Sequence, residues 1–471
     1  MSQQLSQERV SVWGVRQQRV IVRFSGRAII WCAMVVLMGI PIAWIMESGA
    51  TDVFLEATRP DFEKIPVGIV GIANVGGAGA SEGRMAVGTR IEEVLKADLR
   101  RSQIFSLVDL TGLGVKASEL GSEPHLAFKQ VAELGASVVV WGKAGIKAEG
   151  NETDVHMEAY VYDVGSDELV GGKRYVGSPS VVRLMAHRFA DELVFRYTGE
   201  PGIARTKIAY VAEQGSAREL FVMDYDGHDP RQITADGFLN LMPRWSPDRR
   251  FLVFTAYRQR NTQTIDIIEL ATGKRSTLVS QGGLNITPAL SPDGNFLAFA
   301  SSREGNSELY RMDTRTKVVQ RLTVHAAGDL SPTWSPSGRE LAFVSDRSGG
   351  PQVFLMSADG TNVRRLTFEG DYNAAPAWSP RGNWIAYICR TPKKEYKLCL
   401  ITPDGQKRVQ LTTGPGVDDS PSWSPDGRHL VFSSTMDGKS HIYMINADGK
   451  DLERITHSGT HNSAPAWSPA L

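Results

Sequence analysis

A motif that recurs at a fixed interval constrains the fold of this chain more than any other feature. Trp-Ser-Pro, in two copies followed by Asp-Gly, recurs every 44 or 45 residues, and each copy has a proline two residues upstream. Five copies begin with Trp and one begins with Leu: Trp245, Leu290, Trp334, Trp378, Trp423 and Trp467. Such a period indicates a repeat architecture in which each unit packs against its neighbours.

Each repeat carries the signals of short strands joined by tight turns. An apolar run follows five of the six Ser-Pro turns, a second run precedes an Asp-Gly pair, as at 353–360 and 442–449, and a last run ends in Leu-Thr or Ile-Thr at Thr323, Thr367, Thr412 and Thr456. In Ser-Pro-Asp-Gly the proline fixes φ at the second turn position and the glycine supplies the conformation needed at the end. Four strands in such a repeat are typical of a β-propeller blade.

The phase of the repeat predicts how the propeller closes. The opening unit, near residue 208, lacks its first strand, and no further strand signals follow the Trp-Ser-Pro at Trp467. We expect these two parts to combine into one blade. The prediction is therefore an all-β six-bladed β-propeller over residues 201–471, closed by the C-terminal strand, with no open sheet edge.

Residues 51–200 have a different pattern, which predicts an α/β N-terminal domain. The run 65–72 is a candidate buried strand, and the apolar residues Val87, Ile91, Val94 and Leu99 follow it at helical spacing. Further strands are predicted at 137–141 and 157–164. A proline at position 179 opens a final predicted helix.

The N-terminal segment predicts export. Residues 28–46 are uncharged and mostly apolar, and four arginines precede them. Small residues at Ser48 and Ala50 fit a cut after position 50. We expect 1–50 to be a cleaved signal peptide, and an uncleaved anchor formed by residues 28–46 is the alternative; N-terminal sequencing of the exported protein distinguishes them.

Catalytic and cofactor motifs match poorly. Residues 79–83 fit Gly-x-Ser-x-Gly, but the domain is too short for a hydrolase sheet, and residues 112–117 fit a dinucleotide loop only loosely. His457 and His461 fall on a predicted loop. The 52 basic and 52 acidic residues indicate no nucleic-acid footprint. We expect no enzymatic activity, no metal, no cofactor, no nucleic-acid or small-molecule partner, and a monomer.

Two of the three cysteines flank a predicted hairpin. If its turn centres on Lys394, Cys389 and Cys399 lie opposite one another on neighbouring strands. An exported protein meets an oxidising environment, so we expect a disulfide, and two buried thiols are the alternative.

The order of these features resembles the TolB family, the periplasmic component of the Tol-Pal system of Gram-negative bacteria. The resemblance covers about residues 51–471 and rests on the export signal, the α/β domain, the connector 205–211, the blade motifs and the ending at 464–471. It implies a periplasmic scaffold that links a Pal-like peptidoglycan-associated lipoprotein to a TolA-like inner-membrane protein, for outer-membrane integrity and invagination during division. Because other propeller proteins share the blade motifs, one alternative function stays open: a propeller that gates, or is an auxiliary domain of, a peptidase-like or lyase-like hydrolytic system.

The loops that precede each Pro-x-Trp vary most between repeats, which predicts a partner-binding mouth of the channel. The resemblance implies that the lipoprotein binds there. It also implies that the TolA-like protein contacts the mature N-terminus, 51–57, whose alternating pattern suits strand addition or, alternatively, a first strand of the α/β domain. We expect charge reversal at Asp329 and Asp418 together to weaken lipoprotein capture and to leave the fold intact. The candidate partner-binding residues are Leu284, Asn285, Thr287, Asp329, Ser331, Asn373, Asp418, Asp419, Asn462, Asp52, Phe54 and Glu56.

Overall fold

The computed structural model describes residues 63–75, 86–111, 124–149, 152–259 and 262–471. The chain divides into two compact units, Met1–Gly199 and Glu200–Leu471. The predicted signal segment, the predicted strand at 51–57 and the weak motifs at 79–83 and 112–117 lie outside the described residues. No helix in the described ranges has the length and apolarity needed to cross a membrane.

The first unit is an α/β domain built on a five-stranded sheet with the order β2-β1-β3-β4-β5. β1 is parallel to β2 and β3, and β3, β4 and β5 form an antiparallel meander. β5 was not predicted, because Gly171 and Gly172 interrupt its pattern and most of its residues are at least partly exposed. The elements are β1 (Ile65–Asn74), α1 (Val87–Arg101), β2 (Phe105–Leu107), α2 (Pro124–Glu133), β3 (Val138–Glu149), β4 (Glu152–Asp163), β5 (Glu168–Gly177) and α3 (Val182–Thr198).

Helical spacing explains how α1 and α3 pack. Ile91 and Leu95 of α1, like Phe189 of α3, are at most 2% exposed, and α1 contacts both α3 and β1. A buried polar pair also joins the two helices, since His187 Nδ1 lies 2.7 Å from Asp98 Oδ2. Helix α3 ends at Gly199, whose φ of 70° is the left-handed conformation that glycine adopts easily at a helix end.

The second unit is a β-propeller. Its described residues form separate four-stranded antiparallel sheets, β13 to β16, β17 to β20, β21 to β24 and β25 to β28, and one eight-stranded sheet. In the larger sheet, the C-terminal strand β29 pairs with β6, β6 pairs with β7, and one parallel residue pair connects β7 to the run β9 to β12. The C-terminal strand thus pairs with the first strand of this unit.

The strand bounds follow the repeat. The first four-strand run comprises β6 (Lys207–Gln214), β7 (Ala217–Asp224), β8 (Arg231–Gln232) and β29 (Asn462–Trp467). The others are β9 (Leu239–Trp245), β10 (Phe251–Gln259), β11 (Thr262–Glu269), β12 (Arg275–Val279); β13 (Asn285–Leu290), β14 (Phe296–Ser301), β15 (Glu308–Asp313), β16 (Val319–Arg321); β17 (Asp329–Trp334), β18 (Glu340–Ser345), β19 (Gln352–Ser357), β20 (Arg364–Arg365); β21 (Asn373–Trp378), β22 (Ile385–Arg390), β23 (Tyr396–Ile401), β24 (Arg408–Gln410); and β25 (Asp418–Trp423), β26 (His429–Asp437), β27 (Lys439–Asn446), β28 (Glu453–Arg454).

We call β9, β13, β17, β21, β25 and β29 the inner strands. Each contacts the next inner strand in this order, and β29 also contacts β9. The apolar core lies between neighbouring sheets: Trp334 packs with Ala298 and Leu309 of the preceding sheet and with Leu341 of its own. The large apolar residues that recur in every repeat therefore hold adjacent sheets together.

The recurring turn and the recurring threonine both have local hydrogen-bonding roles. In the turn after β13, Gly294 N donates to Ser291 O at 2.8 Å, and Gly294 has a φ of 73°. This confirms the role predicted for the glycine of Ser-Pro-Asp-Gly. The threonine of Leu-Thr accepts a hydrogen bond from a strand amide, as Thr367 Oγ1 does from Val353 N at 2.9 Å. That contact fixes the last strand against its neighbour.

The two hairpin cysteines form a disulfide with a Cα–Cα distance of 5.9 Å. Their predicted directly opposite placement is wrong. Cys389 pairs with Lys397 and Cys399 pairs with Tyr387, so the two cysteines are diagonal neighbours. The hairpin is centred on Lys393, one residue before the predicted centre, since Arg390 pairs with Tyr396.

Candidate functional site: the two ends of the propeller

The inner strands all run in the same sense, so the propeller unit has two distinct ends. We call the end where the strands begin the loop face; it carries the segments 233–238, 280–284, 322–328, 366–372, 411–417 and 455–461. We call the opposite end, where the Ser-Pro turns follow the inner strands, the turn face. The candidate binding residues of the propeller belong to the loop-face half, whereas Asp52, Phe54 and Glu56 lie outside the described residues.

Five of the candidate residues are buried. Each is the first residue of an inner strand and at most 1% exposed: Asn285, Asp329, Asn373, Asp418 and Asn462. Asn240 takes the corresponding place in β9 and is also buried. A side chain this inaccessible does not meet a partner directly.

These buried residues belong to a polar belt that connects consecutive repeats. The belt includes one recurring position on the preceding repeat, occupied by Glu219, Gln263, Glu308, Gln352, Lys397 and His441. Asn373 Nδ2 donates to Gln352 Oε1 at 2.9 Å, and Asn240 Nδ2 donates to Glu219 Oε2 at 3.1 Å. Buried polar groups need such partners, so the recurring Asn or Asp has a structural reason to be there.

The two buried acids have strong internal partners. Arg347 Nη2 donates to Asp329 at 2.8 and 3.1 Å, and Ser434 Oγ donates to Asp418 Oδ1 at 2.6 Å. Reversing either charge would place a cation in a buried site shaped for a carboxylate. Because both side chains are part of the framework, we now expect charge reversal at Asp329 and Asp418 to destabilise the fold, contrary to the expectation from the sequence.

The remaining candidates are accessible. Leu284 is 37% exposed, and Asp419 is exposed next to buried Asp418. Thr287 and Ser331 are half-buried, each with a φ of 53°, and Ser331 N donates to Thr287 Oγ1 at 3.3 Å across neighbouring inner strands. Desolvation by surrounding protein raises the pKa of the Asp419 carboxyl, despite a hydrogen bond from Ser420 N. The partner-binding role of these residues stays a prediction.

The loop face also carries apolar side chains that sequence reasoning missed. Large hydrophobic residues are exposed on five of its six segments: Phe238 (44%), Leu284 (37%), Val324 (79%), Phe368 (71%) and Val417 (48%). Only Leu284 was among the candidates. The available signal was an apolar residue between the repeat threonine and the inner-strand Asn or Asp, but its position shifts from loop to loop. The apolar residue is therefore not visible as a recurring position when the repeats are aligned residue by residue.

The turn face opens onto a cavity of about 560 Å³ at the end of the inner strands. Its lining consists of Ser-Pro turns, the recurring Trp or Leu, and the residue before each of these. Arg244 is the charged side chain among the lining residues. Neither this cavity nor Arg244 was predicted to be functional.

Comparison with known proteins fits this architecture. A family model described as the TolB beta propeller domain matches residues 194–471, and one described as the TolB amino-terminal domain matches residues 54–170. The crystal structure of TolB from Acinetobacter baumannii has a TM-score of 0.69 and 26% sequence identity, over 86% of this chain and 97% of that chain.

Curated relatives carry the name Tol-Pal system protein TolB. The one from Paramagnetospirillum magneticum is 33% identical over 52% of this chain and 53% of that protein, and the one from Desulfosudis oleivorans is 33% identical over 57% of this chain and 60% of that protein. The chain thus spans about half the length of the curated relatives that it matches. Because the TolB propeller model alone matches more than half of the sequence, this chain belongs to the TolB family.

Proposed function

We propose that this chain is a periplasmic, non-enzymatic interaction scaffold of the Tol-Pal system, and that its loop face binds a Pal-like peptidoglycan-associated lipoprotein. One observation carries the proposal: exposed apolar side chains from five segments are gathered on a single face of the propeller. Apolar side chains grouped in this way are typical of a protein-binding surface. The names of the curated relatives support the Tol-Pal assignment.

The physical basis of the proposed binding is that the polar belt forms a rigid support for the loop-face side chains, which vary from repeat to repeat. The polar belt fixes the start of each inner strand, so the loop-face side chains are held in place before a partner arrives. Arg365 lies 4.9 Å from the centre of the exposed Phe368 ring, which further restricts that side chain. Preorganised contact residues lose little entropy on binding, which favours affinity.

The proposal includes a six-bladed propeller over residues 201–471, preceded by an α/β domain over residues 51–200. In this scheme the eight-stranded sheet counts as two blades, one of them completed by β29. The pairing of β29 with β6 and its contact with β9 support this count, as does the sequence period. The closed arrangement leaves no free strand edge to pair with other chains.

A second contact is proposed at the mature N-terminus. Residues 51–57 would add as a strand to a TolA-like inner-membrane protein, with Asp52, Phe54 and Glu56 among the contacting residues. Together, the two contacts would link the outer-membrane lipoprotein to the inner-membrane complex and would support outer-membrane integrity and invagination during cell division. The support for this step is the alternation of apolar and polar residues in the segment.

The test is a binding measurement with two matched double variants. Phe368→Ser with Val324→Ser removes the two most exposed apolar side chains of the loop face. Val318→Ser with Val363→Ser removes two exposed valines near the turn face and serves as the control. Because all four side chains are exposed, neither pair is expected to change the melting temperature by more than about 2 °C.

The lipid-free soluble domain of the Pal-like protein is titrated into each variant in a calorimeter. We expect the loop-face pair to weaken binding by about tenfold or more, and the control pair to bind like the unmodified protein. Equal affinity in all three proteins contradicts the assignment of this face. Deleting residues 51–57 should leave this affinity unchanged and abolish capture of the TolA-like protein.

A further inference from the structure

Arg244 departs from the repeat at the turn-face cavity. The residue before each recurring Trp or Leu is small in five repeats (Ala289, Thr333, Ala377, Ser422 and Ala466) and is arginine in one. All six of these residues line the cavity. The propeller scaffold therefore accepts a small side chain at this position, and the arginine is not required by the repeat.

A second departure lies next to the first. Leu290 takes the place of the recurring Trp in the repeat that follows Arg244, and β9 contacts β13. In three repeats the Trp indole donates to the main chain of the preceding inner strand, as Trp334 Nε1 does to Ala289 O at 3.0 Å and Trp423 Nε1 to Ala377 O at 2.9 Å. Leucine is smaller and has no such donor. It leaves room beside Arg244.

The guanidinium of Arg244 has little internal compensation. Its Nη1 donates to the carbonyl oxygen of Pro243 at 2.9 Å, and among the described residues no carboxylate forms an ion pair with it. Burial lowers the pKa of this guanidinium. Arg244 is half-buried, and a partly desolvated cation without a counter-ion is unfavourable; an anion bound in the cavity would relieve that cost.

We propose that the turn-face cavity binds a small carboxylate ligand with an apolar body, with its carboxylate paired to the guanidinium of Arg244. The fork of N–H donors matches a carboxylate. The apolar body would pack on the prolines of the Ser-Pro turns, among them Pro247, Pro292 and Pro469. The cavity volume of about 560 Å³ falls within the range of small-molecule sites, roughly 300–1,000 Å³.

The charge balance favours a monoanion. Arg244 is accompanied in the lining by Ala, Leu, Ser, Thr, Pro and Trp, none of which carries a charge. A phosphate group brings a charge of about −1.5 to −2 at neutral pH, so one guanidinium would leave negative charge uncompensated in a largely apolar cavity. A carboxylate brings one charge and is fully compensated.

The structural alternative is that Arg244 only fills the volume left by Leu290. The experiment separates charge from volume with Arg244→Gln and Arg244→Met, which keep a long side chain without the charge. Arg250→Gln is the matched control, since Arg250 is exposed, is paired with Glu269 at 3.1 Å and lies outside the cavity lining. Melting curves of all variants check that each remains folded.

The probes are N-acetyl-leucine, its amide, acetate and inorganic phosphate, each titrated at constant ionic strength. Binding is followed by calorimetry and by tryptophan fluorescence, because Trp245, Trp334, Trp378, Trp423 and Trp467 line the cavity. We expect N-acetyl-leucine to bind more tightly than the amide or acetate, and both Arg244 variants to weaken it about tenfold or more, with Arg250→Gln unchanged.

Three results overturn the proposal: no binding of N-acetyl-leucine at millimolar concentration, equal binding of acid and amide, or unchanged binding in both Arg244 variants. Tighter binding of inorganic phosphate than of N-acetyl-leucine overturns the carboxylate assignment. The loop-face lipoprotein titration is independent of all four results, because its variants lie at the opposite end of the inner strands.

Discussion

Removal of the C-terminal strand tests the proposed closure of the propeller. Deleting residues 463–471 removes most of β29, including Trp467, which is 6% exposed, and Ala466, which is 3% exposed. It also removes the pairing of Ala466 with Ala209 and of Trp467 with Ile208. The edge of β6, buried in the intact protein, would then be open to pairing with other chains.

The magnitude follows from the contacts of Trp467. Its indole Nε1 donates to Thr206 Oγ1 at 2.8 Å, and its main-chain N donates to Ser422 Oγ at 3.0 Å. Truncating a buried Trp to Ala costs about 3–5 kcal/mol, and loss of the indole hydrogen bond adds about 1 kcal/mol, whereas the main-chain hydrogen bond to Ser422 is lost only in the deletion. Deleting the whole strand should cost more free energy of unfolding than Trp467→Ala does. The cost of Trp467→Ala is already close to the total stability of a marginal domain, since domains typically have about 5–15 kcal/mol.

Thermal unfolding followed by circular dichroism, together with light scattering, measures the effect. We expect Trp467→Ala to lower the melting temperature by roughly 6–15 °C, and the 463–471 deletion to lower it further or to cause aggregation. Removal of Leu471 alone is the control, because that residue is 59% exposed. A deletion variant that keeps the melting temperature of the full chain refutes the closure.

Three further predictions concern single contacts. Thiol labelling of the unfolded, unreduced mature protein should find Cys389 and Cys399 blocked, and two reactive thiols would reject the disulfide. Asp329→Asn should destabilise the protein by about 3–5 kcal/mol in urea unfolding, because it leaves Arg347 without its carboxylate, and a change below about 1 kcal/mol would show that this pair is dispensable. Burial raises the pKa of Glu158, but hydrogen bonds from Arg174, Lys143 and Tyr160 outweigh it and lower that pKa to about 2. The stabilisation from this lowered pKa is present above the ordinary value of 4.5 and is lost as pH falls toward 2. Glu158→Gln should therefore lower the free energy of unfolding by on the order of 1–2 kcal/mol at pH 7 and by almost nothing near pH 2. A loss of stability that does not depend on pH would contradict this cause.

The propeller was predictable because its signals are local and repeated. Ser-Pro-Asp-Gly specifies a turn through properties of the residues themselves, and six copies of one pattern reinforce the same interpretation. The strand Glu168–Gly177 was missed because an edge strand with two adjacent glycines has neither alternation nor a continuous apolar run. The hairpin centre at Lys393 was missed by one residue, since register depends on the turn geometry and not on equal offsets.

The candidate site was harder to predict because sequence alone does not separate a buried polar residue from an exposed one. Asp418 and Asp419 are adjacent and chemically identical, yet one is 1% exposed and the other faces solvent. In a strand, successive side chains point to opposite faces, so a shift of one residue decides whether an Asp is buried in the framework or exposed to a partner. Variation between repeats was interpreted as a partner surface, but the Asn or Asp near the start of each inner strand is buried and hydrogen-bonded within the protein.

Variation within the belt has a structural consequence of its own. Identical repeats could pair in more than one order, and a buried position that holds four different residue types over the six repeats counteracts this. Lys397 Nζ donates to the carbonyl oxygens of Pro415 and Gly416, at 3.2 and 2.8 Å, and the loop around these residues supplies acceptors for a cation. Gln352 accepts hydrogen bonds from the amide of Asn373 and the hydroxyl of Thr367, and it donates to the carbonyl oxygen of Gly370 at 3.2 Å. A lysine at position 352 would have no acceptor for the amide of Asn373, so the residue at this belt position is matched to the repeat in which it lies.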